Sequence, residues 1–341
     1  MGHPAHYHNV KIVAENLHSK GWEIIFVARG KDVLFDLIEG LPYTIYKLPE
    51  KTSSSKKALI KTVLQREKAL WTIVKKHKPL LLLGTDIAIT HIGKLTGTPA
   101  YIMNEDDAEI VPQMVKFGYR FATGIIAPDC CSVSPYEKKK ISYNGYHELA
   151  YLHPNHFTPS KSIFQKLGLA ENSPYFILRF VSLSAHHDKG ISGISKSFAQ
   201  KLIDKLQPFG RVFITSERKL EPEFEPFRIT IHPNDMHNAL AFAQIYIGDS
   251  QTMTAEAAVL GTPALRMNDF VGKINYLEEL EHEYKLTFGH QPSQQNELLQ
   301  KLTEWLNDNE LQQKWKIKRK KLLDEKIDVA AFLTDFIEQH R

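Results

Sequence analysis

Short apolar runs and amphipathic helical patterns alternate along the whole chain, and this alternation narrows the possible folds more than any other feature. A strand, a helix and another strand pack together as a parallel sheet with helices on its faces, so the pattern specifies α/β architecture. In the first half EIIFVA (23–28), YTIYKL (43–48), LLLLGT (80–85), AYIM (100–103) and GIIAPD (124–129) read as buried strands. Between the first two, KDVLFDLIEGL reads as a helix closed by Gly40. The chain opens on a loop-like GHPAH and a helix over about 9–20, although in an α/β domain a strand feeds that loop. Either the domain begins without its usual first strand, or the start was placed too late.

Pro154, Pro159 and polar residues break the pattern over 148–162, as suits a connector. A second alternation follows: YFILRFV (175–181), a helix over 191–206, RVFITSE (211–217), RITIHP (228–233), a helix over 236–243 and IYIGDS (245–250). The expected organisation is a Rossmann-like domain over 1–153, a linker over 154–174, and a second Rossmann-like domain over 175–341 that carries the charged terminal helices. The two would face each other across a cleft, with ligands at the carboxyl ends of strands. A chain of 341 residues with 43% hydrophobic content is ample for two cores.

No apolar run approaches the roughly 20 residues that cross a bilayer. The N-terminus lacks the charged and apolar regions of a secretory signal, and adjacent Cys130 and Cys131 suit a reducing compartment. The expected location is cytoplasmic. A net charge of +4 does not argue for nucleic acid. The basic segment at 47–79 interleaves Leu59, Val63, Leu70, Trp71 and Val74 with its charges. It is either an amphipathic element, giving peripheral membrane contact at the inner face through 51–78, or an ordinary solvated face with a packed stripe.

The stretch GDSQTMTAEAAVLGTPALR (248–266) reads as a strand end, a turn, a short helix, a glycine stop and a new strand. Glu256 is the only acidic residue on a helix that is otherwise small or apolar almost all round. A carboxylate there either pairs internally or faces a cleft where a ligand supplies donors.

With the stretches at 2–38 and 177–195, this segment resembles an uncharacterised prokaryotic family, domain of unknown function 354. That family is related to GT-B glycosyltransferases and to UDP-N-acetylglucosamine 2-epimerases. The resemblance, over 2 to about 285, implies that Glu256 holds the two ribose hydroxyls of a nucleotide-sugar, a diol that matches two carboxylate oxygens. Asp249, Ser250, Gln251 and Thr252 open the helix, where free amides and the dipole suit a diphosphate; otherwise Asp249 or Ser250 only caps it. Arg179 and Lys189 are similar to a diphosphate-binding pair, at longer spacing. His186 and His187 orient phosphates, act as acid and base, or form a solvated loop, and His232 borders the base.

His3 and His6, in the first loop, are hydrogen-bonding or general-base candidates. With His8 they complete no recognisable metal motif. Asp86, Glu105 and Asp107 follow apolar strands and are base candidates by likeness to the epimerases; helix-dipole or capping roles are the simpler account. The reading is a metal-independent glycosyltransferase-like enzyme that needs no cofactor. It would use a nucleotide-diphospho-sugar, UDP-sugar favoured, and an unknown acceptor in surface polysaccharide or glycolipid assembly. His6, Asp86 or Glu105 would be the base. The alternatives are a UDP-sugar 2-epimerase, which needs no acceptor, and a non-catalytic binder.

Overall fold

The computed structural model of the protein describes all residues except 31, 49–55, 182–192, 217–218 and 341, and all side chains among them except those of residues 32 and 56–60. The chain divides into two compact units, Met1–Tyr151 with Ile327–Arg341, and Leu152–Lys326.

The first unit runs α1 (Pro4–Ser19), β1 (Ile25–Ala28), α2 (Asp32–Ile38), β2 (Thr44–Lys47), α3 (Lys56–His77), β3 (Leu82–Gly84), α4 (Ile87–Thr96), β4 (Ala100–Met103), the single turn α5 (Pro112–Met114), β5 (Gly124–Pro128) and β6 (Lys140–Tyr143). α1 starts at Pro4 rather than near residue 9. Proline presets φ at the first helical position, and the His3 ring caps the helix by accepting the Ala5 N–H at 3.2 Å. All strands are parallel, but they form two sheets, β1–β2 and β3–β4–β5–β6. β4 and β5 are buried throughout, as parallel strands covered by helices should be, whereas β3 is half-exposed.

One stripe of α3 packs inward through Leu70 and Val74 against Ile92 of α4, while Val63, Leu64 and Trp71 are exposed. Leu59 and residues 51–55 of the basic segment lie outside the described residues or side chains. Among the described residues no helix is long and apolar enough to cross a membrane.

The second unit runs α6 (Ser162–Lys166), β7 (Tyr175–Phe180), α7 (Lys196–Leu206), β8 (Arg211–Ser216), α8 (Met236–Phe242), β9 (Ile245–Gly248), α9 (Gln251–Leu260), β10 (Ala264–Met267), α10 (Asn275–His282), β11 (Thr287–His290), α11 (Gln295–Leu306) and α12 (Leu311–Glu325). Its sheet is parallel, in the order β11–β10–β9–β7–β8. The strand expected over 228–233 does not form. Arg228 makes only an isolated bridge to Ile214, and Pro233, which has no N–H for a ladder, starts a 3-10 turn instead. α7 begins at Lys196, later than expected, because Ser195 caps it.

The last helix, α13 (Val329–Glu338), returns to the first unit. Ile327 donates to the Asn144 carbonyl at 3.0 Å, Asn16 to the Thr334 hydroxyl at 3.3 Å, and Val329, Ala330, Leu333 and Ile337 are buried. The observed boundaries therefore fall at 151/152 and 326/327, with α13 apart from the other terminal helices.

Candidate functional site

Two constellations sit at strand ends, one in each unit. In the second unit the strand order reverses between β7 and β9, which makes the carboxyl ends of those two strands the place where an open parallel sheet leaves a crevice. Arg179 lies near the end of β7, beside Gly248 of β9, and donates from Nη1 to the Thr215 hydroxyl of β8 at 2.9 Å.

β9 leads through Asp249 into α9. Asp249 is buried and bonds backbone amides with both oxygens: Oδ1 accepts the Val181 N–H at 2.8 Å and Oδ2 accepts the Ile194 N–H at 3.3 Å. One carboxylate thus ties together both ends of the segment linking β7 to α7. A Cβ on Gly193 would collide with it. Ser250 is the helix cap, accepting the Met253 N–H at 3.3 Å, and Gln251 and Thr252 hold the first two helical positions, whose amides precede the intrahelical ladder. Ser250 therefore caps α9, whereas Asp249 does not cap it and instead bonds backbone amides outside the helix.

Met253 to Leu260 are all buried, as an apolar helix requires. Glu256 is 5% exposed, and His237 on α8 donates from Nε2 to its Oε1 at 3.0 Å. The carboxylate has an internal partner, and the Phe157 ring meets His237 edge-on at 6.1 Å. His232 is exposed and caps the 3-10 turn before α8 by accepting the Asn234 N–H at 3.2 Å. His186, His187 and Lys189 lie outside the described residues.

In the first unit, His6, Thr85, Asp86 and Arg29 come together where β1 and β3 end. The Gly2 N–H donates to His6 Nδ1 at 3.2 Å, so that nitrogen carries the lone pair, and the Thr85 hydroxyl donates to it at 2.8 Å. His6 keeps some exposed surface, yet protein surrounds most of its ring. That desolvation, with the N-terminal ammonium, His3, Arg29 and His147 nearby, pushes its pKa down to about 3. His3 stacks obliquely on it at 6.0 Å. Asp86 caps α4 by accepting the Ala88 N–H at 3.0 Å and pairs with Arg29 at 3.2 Å.

Glu105 follows β4. Its Oε2 accepts the His147 N–H at 3.2 Å and lies 3.4 Å from His147 Nδ1, which also meets the Asn9 amide at 3.2 Å. His147 is 4% exposed, and its Nε2 has no hydrogen-bond partner among the described residues. Asp107 turns inward instead and accepts the Ser132 N–H at 2.7 Å. Cys130 and Cys131 are free thiols, and Cys131 donates to the Glu105 carbonyl at 3.0 Å. Among the described residues no group of three or more His, Cys, Asp or Glu side chains is placed to hold a metal ion.

Four of these residues were not singled out in the sequence: Arg29, Thr85, His147 and His237. Arg29 and Thr85 directly follow apolar strands, a signal available by position. His147 and His237 had none, since each acquires its role through a partner distant in the chain.

Two parallel α/β units, with site residues gathered at strand ends, define a protein of the GT-B-like class. Solved structures agree. Spinosyn forosaminyltransferase SpnP matches with a TM-score of 0.67 at 13% identity, covering 99% of this chain and 97% of that one. A putative UDP-N-acetylglucosamine 2-epimerase from Listeria monocytogenes matches at 0.67 and 12%, covering 97% and 92%. Spinosyn rhamnosyltransferase SpnG, complexed with thymidine diphosphate, matches at 0.63 and 13%, covering 98% and 97%. At such identities the likeness is one of fold. The chain belongs to the family described as protein of unknown function (DUF354), which matches residues 2–315. No curated protein matches it in sequence.

Proposed function

We propose that the second unit binds the nucleoside diphosphate of an activated sugar, and that the protein is a glycosyltransferase-like enzyme using that donor. The reading is supported by Arg179 beside Gly248 at the β7/β9 reversal, with α9 starting three residues further on and carrying buried Glu256. The guanidinium and the Gln251 and Thr252 amides suit a diphosphate. Glu256, oriented by His237, accepts from the ribose diol. As the sugar leaves, charge grows on the diphosphate, and fixed donors stabilise it more than they stabilise the ground state. The nucleotide carried by one structural neighbour and the UDP-sugar in the description of another support the donor class, with a UDP-sugar favoured. The acceptor would belong to surface polysaccharide or glycolipid assembly.

In the first unit Glu105, beside His147, is the better base. His6, with a pKa near 3, holds protons too weakly to take one from an acceptor hydroxyl efficiently. The same Glu105–His147 pair also suits proton abstraction from a free UDP-sugar, which keeps 2-epimerisation as the second reading.

The test is a thermal-shift screen of UDP, GDP, CMP and their sugar conjugates. A nucleotide at about 100 times its Kd adds about 2.7 kcal/mol of stability. UDP should stabilise the wild type and lose its effect in Arg179→Ala and Glu256→Gln. If no nucleotide stabilises the folded wild type, the reading fails. Turnover then separates the two chemistries: a transferase needs an acceptor, whereas an epimerase interconverts free UDP-sugars.

A further inference from the structure

Four lysines of the second unit gather around three aromatic rings. Phe288 of β11, Trp305 of α11 and Trp315 of α12 meet with ring centroids 4.8 to 6.4 Å apart. Both indoles are buried, while Phe288 keeps part of its surface. Two ammonium groups share the Phe288 ring, Lys301 of α11 at 5.4 Å and Lys318 of α12 at 5.9 Å from its centroid. Lys318 also lies 3.4 Å over the Trp315 ring. Lys314 stands one helical turn before it on the same face of α12, and Lys285, two residues ahead of β11, is close enough to repel it.

Carboxylates neutralise only part of this cluster. Lys301 pairs with Glu304 at 2.9 Å and Lys314 with Asp308 at 2.7 Å. Among the described residues no carboxylate pairs with Lys318 or Lys285. Asp308, whose field reaches Lys318, is already held by Lys314. Lys318 is half-buried and faces Lys285, Lys301 and Lys314, so its charged form is disfavoured. The indole face favours the cation. Desolvation and like charge prevail over it and bring the pKa from 10.5 down to about 8. At about pH 7.5 such an amine is neutral about a hundred times more often than an ordinary lysine amine. A neutral amine in this place can attack an electrophile, and an anion formed on it is met by opposite charge from the other lysines.

We propose that Lys318 is a carbon dioxide-binding site, whose amine forms a carbamate stabilised by Lys285, Lys301 and Lys314. Nζ gives its lone pair to the carbon of carbon dioxide as one C–O π pair withdraws onto oxygen. The N–H proton passes to water, which leaves a carbamate anion. The centre of the cluster then changes from positive to negative, and its repulsions become attractions. Acyl transfer to the same amine would leave a neutral amide that gains nothing from the lysines. The cluster therefore selects the electrophile that ends as an anion. The site stands apart from the nucleotide reading, since it uses none of the same residues.

The test incubates the intact chain with dissolved carbon dioxide at about pH 7.5 and constant ionic strength. Carbamates are trapped with triethyloxonium, and the ethyl ester is located by peptide mass spectrometry. Lys318 should carry about tenfold more adduct, or greater, than exposed Lys316 on the same helix. Unfolding in guanidinium should abolish that difference. Lys318→Arg keeps the charge and should lose both the adduct and the carbon dioxide-dependent change in tryptophan fluorescence expected from Trp315. Lys285→Met should lower the adduct by about threefold or more, because it makes the amine more basic and takes a cation from the carbamate. An adduct on Lys318 no greater than on Lys316 in the folded wild type overturns the proposal. So does a Lys318 adduct that Lys285→Met leaves unchanged, since the cluster would then play no part.

Discussion

Asp249→Ala separates a structural carboxylate from a ligand-binding one. The wild-type side chain is 5% exposed and accepts two backbone N–H groups, from Val181 at 2.8 Å and Ile194 at 3.3 Å. Hydrogen bonds to a charged acceptor contribute about 1.5–3 kcal/mol each, and the longer of these belongs at the low end. Removing the carboxylate orphans both donors, for a loss of about 3–5 kcal/mol in the second unit. With a urea slope of about 2 kcal/mol/M the unfolding midpoint falls by about 2 M. Trp305 and Trp315, buried 4.8 Å apart in that unit, report the transition by fluorescence. Hydrogen exchange at the Val181 and Ile194 amides reports the local release. The loss appears without any nucleotide present, and Asp249→Asn, which keeps one acceptor oxygen, falls between. A midpoint unchanged within about 0.3 M, with both amides still protected, would refute the assignment.

Gly193→Ala, whose new methyl meets the same carboxylate, should lower stability by about 1–3 kcal/mol in the same assay. His6 has a folded pKa near 3 against an ordinary 6.5, so the fold favours the neutral ring. Its contribution is complete above about 6.5 and is lost as pH falls toward 3, at up to about 1.4 kcal/mol per pH unit; melting from pH 7 to 4 should be steeper for wild type than for His6→Gln. Removing residues 327–341 strips buried Val329, Leu333 and Ile337 from the first unit, about 1.5–3 kcal/mol each. Calorimetry should then show that unit melting early and the second unit unchanged. Gly261→Ala forces a side chain into φ +82°, against the Arg319 stem, and should cost about 1–3 kcal/mol in urea unfolding.

The α/β class and most strands were legible in the sequence because parallel strands buried on both faces read as unbroken apolar runs, as with AYIM and GIIAP. β6 (KISY) was not, since its pattern is short and polar, and RITIHP misled because its apolar spacing hides a proline that ends pairing. α13 looks in sequence like one more terminal helix. Its place depends on packing against α1, a contact between residues more than 300 apart, as with Asn16 and Thr334. The candidate residues at strand ends were found by position. Their partners were not: His237 for Glu256 and His147 for Glu105 join elements that no local spacing connects. Asp249 was read as part of the turn that opens α9 or as its cap, whereas both its oxygens bond backbone amides outside that helix.

The passage of the chain out of the first unit at Tyr151 and back at Ile327 also sets an order of events during synthesis. Domains generally complete in the order in which they leave the ribosome, at about 5–20 residues per second. Here that order is inverted. The second unit has its whole sequence available while the first still lacks α13, so for roughly ten seconds or more the earlier-made unit waits with the α1 surface uncovered. Nascent chains stalled behind a linker long enough to bring residue 326 out of the ribosome, with 327–341 absent, should therefore show a protease-resistant second unit attached to a protease-sensitive first one.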